Sequence, residues 1–209
     1  MRPVRVVEGR VVPLDRADVD TDQIMPKQYL KRVERTGFGE FVFADWRADP
    51  DFVLNQPKYE GANVLVTGAN FGSGSSREHA PWGLQQYGFD AVIAPSFADI
   101  FTGNCAKTGL LTVVLPAPVC AELHALATRD PAAVVRIDVE AQTMDAWSSD
   151  GVTMCAPTPP AVSARFRMDP HTRRLFLEGL DDIGLTLARA DAITAHESHR
   201  PAWLPTTPA

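Results

Sequence analysis

Short apolar runs alternate with helix-like stretches between residues 63 and 116, and this rhythm constrains the fold more than any other feature. The runs are "NVLVTG" (63–68), "AVIAPS" (91–96) and "LLTVVLP" (110–116). A helix that stops at Gly88 separates the first pair, and a short helix from Phe97 separates the second. Strands that alternate with helices in this way pair in parallel. The sequence therefore predicts an α/β fold with a parallel central sheet.

The remaining segments fit around that sheet as one domain. Residues 4–14 are valine-rich with a glycine break, which indicates a strand pair or a bent strand. Residues 17–43 look irregular, with one short helix near 26–33. Residues 117–130 form an amphipathic pattern, and residues 134–147, with "VTM" after them, predict a hairpin. A helical stretch follows at 171–198. We predict one domain over residues 1–195 and a mobile proline-rich tail over 196–209.

Composition and charge exclude several classes of partner. The chain has 209 residues, 45% of them hydrophobic, and a formal net charge of −6. Its 20 basic residues are scattered, so they offer no electrostatic footprint for nucleic acid or an anionic membrane. The first residues lack the apolar core of a signal peptide, and eighteen apolar residues nowhere run together. A cytoplasmic protein with a small-molecule or protein partner is expected.

Cysteine usage argues against both a disulfide framework and a metal site held by this chain alone. Cys105, Cys120 and Cys155 are odd in number and far apart, and no two of them form a C-x-x-C pair. Reduced thiols and no bound metal are therefore expected.

A glycine-rich turn follows the first of the three strands and reads "GANFGSGSSREH" (68–79). A P-loop requires lysine after its last glycine, but Ser75 follows Gly74, so this motif does not match. A dinucleotide fingerprint requires glycine or alanine where Arg77 stands, so it matches poorly. Ser75 and Glu78 have the spacing of a capping box, and a helix mouth with an arginine suits an anion.

Two further features qualify this turn. Pro81 would interrupt a helix interior, so the regular helix is expected to begin near Ala80. An ordinary helix cap with a surface arginine remains an equal alternative at this point, and His79 suits packing better than proton transfer.

Three aspartates at alternate positions precede the motif "QIMP". Asp18, Asp20 and Asp22 match the first ligand positions of a calcium loop, but Gln23 and Tyr29 stand where that loop needs glycine and glutamate. We therefore interpret the aspartates as turn formers and a helix cap.

Five long motifs occur in an order that resembles a known family. They are "VDTDQIMP" (19–26), "YLKRVERTGFG" (29–39), "NFGSGSSREHAPWGL" (70–84), "FADIFTGNCAKTGLL" (97–111) and "LEGLDDIGLTL" (177–187). The chain resembles the small subunits of bacterial 3-isopropylmalate dehydratases, the swivel domain of the aconitase superfamily. An ordered set of this kind is far more specific than one short pattern. The resemblance implies a swivelling β/β/α three-layer domain.

The resemblance also implies an activity and a partner. Enzymes of this type are hydro-lyases that remove water from a hydroxy-acid and return it at the neighbouring carbon, here between 2-isopropylmalate and 3-isopropylmalate. A [4Fe-4S] cluster is carried by the large subunit, with which this chain would form a heterodimer or larger assembly, and none is bound by this chain. A homoaconitate or methylmalate dehydratase small subunit is the alternative, and a stand-alone dicarboxylate-binding module is a further one.

Site residues follow from the resemblance motif by motif. Ser75 would be the catalytic base and Arg77 would bind a substrate carboxylate. The loop at residues 29–39 would reach over the group that distinguishes one substrate from another, where apolar and basic side chains compete. The remaining substrate-binding residues implied are Ser76, Asp22, Thr21, Leu30 and Arg32.

Overall fold

A mixed β-sheet forms the framework of the chain. The computed structural model describes residues 1–31, 36–75, 77–149, 159–201 and 203. Within these residues seven strands pair in the order β4-β3-β2-β1-β5-β6-β7. They are β1 (Val6–Leu14), β2 (Val64–Thr67), β3 (Ala91–Ala94), β4 (Leu111–Val114), β5 (Val134–Asp138), β6 (Thr143–Trp147) and β7 (Val162–Arg165).

Helices connect and cover the strands. They are α1 (Thr21–Ile24), α2 (His79–Tyr87), α3 (Asp99–Thr108), α4 (Ala117–Arg129), α5 (Pro170–Glu178), α6 (Asp182–Leu187) and α7 (Ala190–Ser198). Short 3₁₀ turns lie at Lys27–Lys31, Gly39–Phe41, Trp46–Ala48, Val53–Asn55 and Pro57–Tyr59. No helix in the described ranges is long and apolar enough to cross a membrane.

The predicted parallel sheet is confirmed. Strands β1, β2, β3 and β4 are parallel neighbours. β1 is one bent strand, because residues 11–14 pair with β2 whereas residues 6–10 pair antiparallel with β5. This split lets one strand join the parallel half of the sheet to an antiparallel half.

The antiparallel half agrees with the sequence only in part. The hairpin of β5 and β6 is confirmed, and β7 adds an antiparallel strand that the sequence pattern did not predict. Its four residues are too few to show a clear alternation. The predicted "VTM" continuation lies outside the described residues. The expected helical stretch at 171–198 divides into three helices, the first of which ends at Gly179 in a left-handed conformation.

Two apolar cores lie on opposite faces of the parallel strands. Alternate residues point to opposite faces, so Val64 and Val66 pack with helix α4, whereas Leu65 packs on the side of α1, α2 and α3. β2 and β3 are buried along their whole length, as expected for parallel strands covered on both faces. Because both faces are filled, a ligand site is expected at the ends of the strands rather than on a face of the sheet.

Candidate active site

The carboxyl ends of β1 and β2 lie side by side, and the loops that follow them are hydrogen-bonded to each other. The Gly72 amide donates to the Val19 carbonyl at 2.7 Å, and the Thr21 amide donates to the Ser73 carbonyl at 2.9 Å. The Asp18 amide donates to the Ala69 carbonyl at 2.8 Å. The aspartate segment and the glycine-rich turn therefore form one structure at the carboxyl edge of the sheet, where α/β proteins commonly bind ligands.

Two glycines shape the second loop. Gly72 has a φ of +78°, and a Cβ atom there would lie 2.2 Å from the Phe101 ring. Gly74 has a φ of +89°, which other residues rarely adopt. The pattern "GSG" thus serves a tight turn that leads directly to Ser75.

The first two aspartates have different structural roles: Asp20 is the helix cap that the sequence predicted, whereas Asp18 contacts the second loop. Asp20 caps α1, since its carboxylate accepts from the Gln23 amide at 2.7 Å while the Gln23 side chain accepts from the Asp20 amide at 2.9 Å. Asp18 accepts from the Asn70 side chain at 2.8 Å. Among the described residues, no three His, Cys, Asp or Glu side chains lie together as a metal site would require.

The capping box predicted for Ser75 and Glu78 is wrong. Helix α2 begins at His79, with Glu78 at the cap position and no side-chain hydrogen bond to the cap. Pro81 explains the late start, because proline lacks an amide hydrogen and fits only the first turn of a helix. The predicted start near Ala80 is therefore correct to one residue, and Ser75 is left exposed at the end of the loop.

Asp22 joins the two loops electrostatically. One of its carboxylate oxygens forms an ion pair with Arg77 Nη1, and the other lies 3.3 Å from Lys27 Nζ. The Arg77 side chain is 16% exposed and that of Asp22 is 35% exposed. The arginine is therefore held in place while part of it still reaches solvent.

Thr21 lies beneath Ser75. Its hydroxyl donates to the Ser75 carbonyl at 2.8 Å, and the residue is only 2% exposed. This contact fixes the backbone of Ser75, whereas burial keeps the threonine itself away from a ligand at the surface.

The structure brings together four of the residues that the sequence selected, namely Ser75, Arg77, Asp22 and Thr21. Leu30 lies on the turn Lys27–Lys31, partly buried against the apolar cluster that includes Phe38. Ser76 and Arg32 lie outside the described residues.

The sequence pattern assigned a packing role to His79 and did not select Lys27. The His79 ring packs edge-on against Phe38 at 5.2 Å and lies 5.1 Å from the Trp82 ring, as expected for a packing residue. Lys27 was not selected as a neighbour of the site, although it directly follows the motif "QIMP".

Two of the three cysteines are unsuited to bind a cluster. Cys105 and Cys120 are buried, and Cys155 lies outside the described residues. Burial raises the pKa of the Cys105 thiol well above its ordinary value and that of Cys120 to about 11. Both thiols are therefore neutral at physiological pH.

Iodoacetamide at pH 8 should modify neither Cys105 nor Cys120 in the folded chain, because thiolate is the reactive species and both groups are shielded. Both should react in guanidinium chloride. Peptide mass mapping of the two samples measures the difference, and equal labelling of Cys105 in both would contradict the burial described.

Comparison with known proteins identifies the family. The sequence profile of the aconitase C-terminal domain matches residues 1–118, and the profile of the C-terminal domain of the 3-isopropylmalate dehydratase small subunit matches residues 182–209. The chain is 52% identical over 205 residues to the 3-isopropylmalate dehydratase small subunit of Rubrobacter xylanophilus, covering 98% of each chain. It is 52% identical over 207 residues to that of Acidothermus cellulolyticus, covering 99% of this chain and 98% of the relative.

A solved structure agrees with these sequence matches. The crystal structure of 3-isopropylmalate dehydratase from Methanocaldococcus jannaschii superposes with a TM-score of 0.60 at 25% identity, covering 92% of this chain and 99% of the other. The fold class inferred from the motifs is confirmed. The chain shares about half of its residues with several relatives over nearly its whole length. It therefore belongs to the family of 3-isopropylmalate dehydratase small subunits.

Proposed function

We propose that this chain acts with a large subunit to interconvert 2-isopropylmalate and 3-isopropylmalate through isopropylmaleate, the isomerisation step of leucine biosynthesis in the cytoplasm. Ser75 and the Asp22–Arg77 ion pair meet at one exposed edge of the sheet, and this observation carries the proposal. A hydroxyl and a guanidinium together suit a substrate that must lose a proton beside a carboxylate.

Ser75 is the proposed base. Its oxygen takes the proton from the carbon next to a carboxylate, so that the C–H bond breaks and an O–H bond forms. The released electron pair becomes the carbon–carbon double bond while the hydroxyl departs from the neighbouring carbon. The reverse steps then add water back across the double bond. When the intermediate is bound in the other orientation, the hydroxyl enters at the neighbouring carbon.

A serine oxygen is a poor base in water, so its anionic form needs stabilisation. Arg77 adds a permanent positive charge two residues from Ser75, and the positive end of the α2 dipole lies at His79, four residues from Ser75. Ser75 is exposed in the chain alone, and a partner that covers this edge would exclude water and strengthen these interactions. The proposed active state is thus the closed complex.

The neighbouring residues have supporting roles in this proposal. Arg77 binds a substrate carboxylate through two N–H groups, and Asp22 orients the guanidinium. Thr21 is proposed to position Ser75 by donating a hydrogen bond to the Ser75 carbonyl. Because Thr21 is buried, it is not proposed to touch the substrate. Ser76 and Arg32 remain predicted members of the substrate site.

The described part of this chain does not fit an iron–sulfur cluster of its own. Its two described cysteines are buried in separate apolar cores. We therefore assign the [4Fe-4S] cluster to the large subunit, and the group that accepts the departing hydroxyl has to come from that partner.

The substrate assignment is tested by comparing kcat/KM for isopropylmaleate, a methyl analogue and homoaconitate in the reconstituted two-subunit enzyme. Isopropylmaleate should be preferred. A preference for homoaconitate would indicate a homoaconitase-like subunit, and a preference for the methyl analogue would indicate a citraconate-type dehydratase.

Leu30→Ala should lower kcat/KM for isopropylmaleate by about 1–3 kcal/mol of transition-state binding, which is what one apolar pocket contact can discriminate. The loss should be much smaller for the methyl analogue, because it reaches less of the pocket. Since Leu30 also packs against the core, thermal melting of the variant is measured alongside. Equal losses on every substrate would remove Leu30 as a selector.

A further inference from the structure

Lys27 places a second positive charge on the carboxylate that holds Arg77. Its Nζ lies 3.3 Å from Asp22 Oδ2, while Asp22 Oδ1 accepts from Arg77. One carboxylate therefore lies between two cations, and the three groups together carry a formal charge of +1.

Folding stability does not account for this arrangement. The Lys27 side chain is 73% exposed, and exposed ion pairs contribute about 0–1 kcal/mol to stability. The lysine instead lies beside the carboxylate that holds Arg77, so its positive charge would attract a dicarboxylate that binds to Arg77.

The backbone around Lys27 is anchored by buried neighbours, although its side chain is largely exposed. Met25 and Pro26 are buried, and the Tyr29 amide donates to the Pro26 carbonyl at 3.0 Å. The Tyr29 ring stacks on Phe41 with a centroid distance of 4.1 Å. The Lys27 Cα is thus held at a defined place beside Asp22.

Substrate binding creates a conflict that Lys27 can resolve. Arg77 holds Asp22 through Nη1, so a substrate carboxylate on its other N–H groups would stand close to Asp22. Like charges at such distances repel, and more strongly when water is excluded. A second cation on Asp22 offsets part of this repulsion.

We propose that Lys27 is a positioning residue that neutralises Asp22 while Arg77 engages the substrate carboxylate. The inference rests on the proposed function, because it needs Arg77 to bind substrate. Its effect should appear in substrate binding, whereas the proton transfer at Ser75 proceeds as before.

The test uses Lys27→Gln and Lys27→Arg in the reconstituted enzyme with isopropylmaleate. Lys27→Gln should raise KM about tenfold to hundredfold, in the range of one charge-assisted interaction, with kcat changed by less than about threefold. Lys27→Arg keeps the charge and should restore KM to within about threefold of the wild type.

Lys107→Gln is the matched control. Lys107 forms a comparable exposed ion pair with Asp182 at 3.6 Å, on α3 and α6, and it has no part in the site. It should leave KM and kcat unchanged, and all three variants should melt within about 2 °C of the wild type, as expected for surface substitutions.

Three results would overturn the inference about Lys27. They are an unchanged KM in Lys27→Gln, an equal change in Lys107→Gln, and failure of Lys27→Arg to restore KM. In each case wild-type turnover would still support the proposed function. A wild-type complex without isopropylmaleate turnover would contradict the proposed function itself, and the inference with it.

Discussion

Ser75→Ala should abolish most of the turnover of isopropylmaleate by the reconstituted enzyme. Removal of a general base costs on the order of 10²–10⁴ or more in kcat. Folding should be nearly unaffected, because Ser75 is exposed and its carbonyl, which the Thr21 hydroxyl contacts, is retained. Steady-state turnover, thermal melting and pull-down of the large subunit together measure the three properties.

Ser73→Ala is the matched control for this variant. Ser73 lies in the same turn, and its structural hydrogen bonds to Val19 and Thr21 use backbone atoms that alanine retains. Its turnover should stay close to that of the wild type. Retention of most activity by Ser75→Ala would contradict the assignment and make Ser76 the next candidate for the base.

Arg77→Lys should weaken substrate binding although it keeps the positive charge. Lysine cannot reproduce the planar fork that binds a carboxylate with two parallel N–H groups, so about 1.5–3 kcal/mol should be lost from kcat/KM, roughly ten- to a hundredfold. Arg77 is largely buried beside Asp22, so the shorter lysine has little freedom to compensate.

Arg174→Lys provides the comparison for Arg77→Lys. Arg174 forms an exposed ion pair with Glu178 on α5, at 3.0 Å from each carboxylate oxygen and outside the site. It should leave kcat/KM unchanged. Equal kinetics for the two variants would show that the fork of Arg77 has no special role.

The sequence predicted those parts of the fold in which local patterning and packing agree. β2, β3 and β4 are short apolar runs with turn residues at their ends, and these two features distinguish them from buried helices. β7 is defined by its pairing with β6, which no local pattern encodes. The 3₁₀ turns between α1 and β2 likewise follow from aromatic packing, such as Phe43 on Trp46.

The motifs selected residues that lie together in the structure, whereas local rules did not predict how they are held. Ser75 and Glu78 have the correct spacing for a capping box, yet Pro81 moves the helix start beyond both. The true capping box uses Asp20 and Gln23, which lie in the aspartate segment. The role proposed for Lys27 depends on its proximity to Asp22. This proximity depends on how α1 and the following turn fold.

The most direct test of the account is isopropylmaleate hydration by the purified chain with and without the large subunit. We predict no turnover and no iron–sulfur absorbance for the chain alone, because in the proposed function the large subunit carries the cluster and completes the active site. We predict turnover once the large subunit is added. Stoichiometric iron–sulfur absorbance with turnover by the isolated chain would contradict the account, and so would a reconstituted pair that leaves isopropylmaleate unchanged.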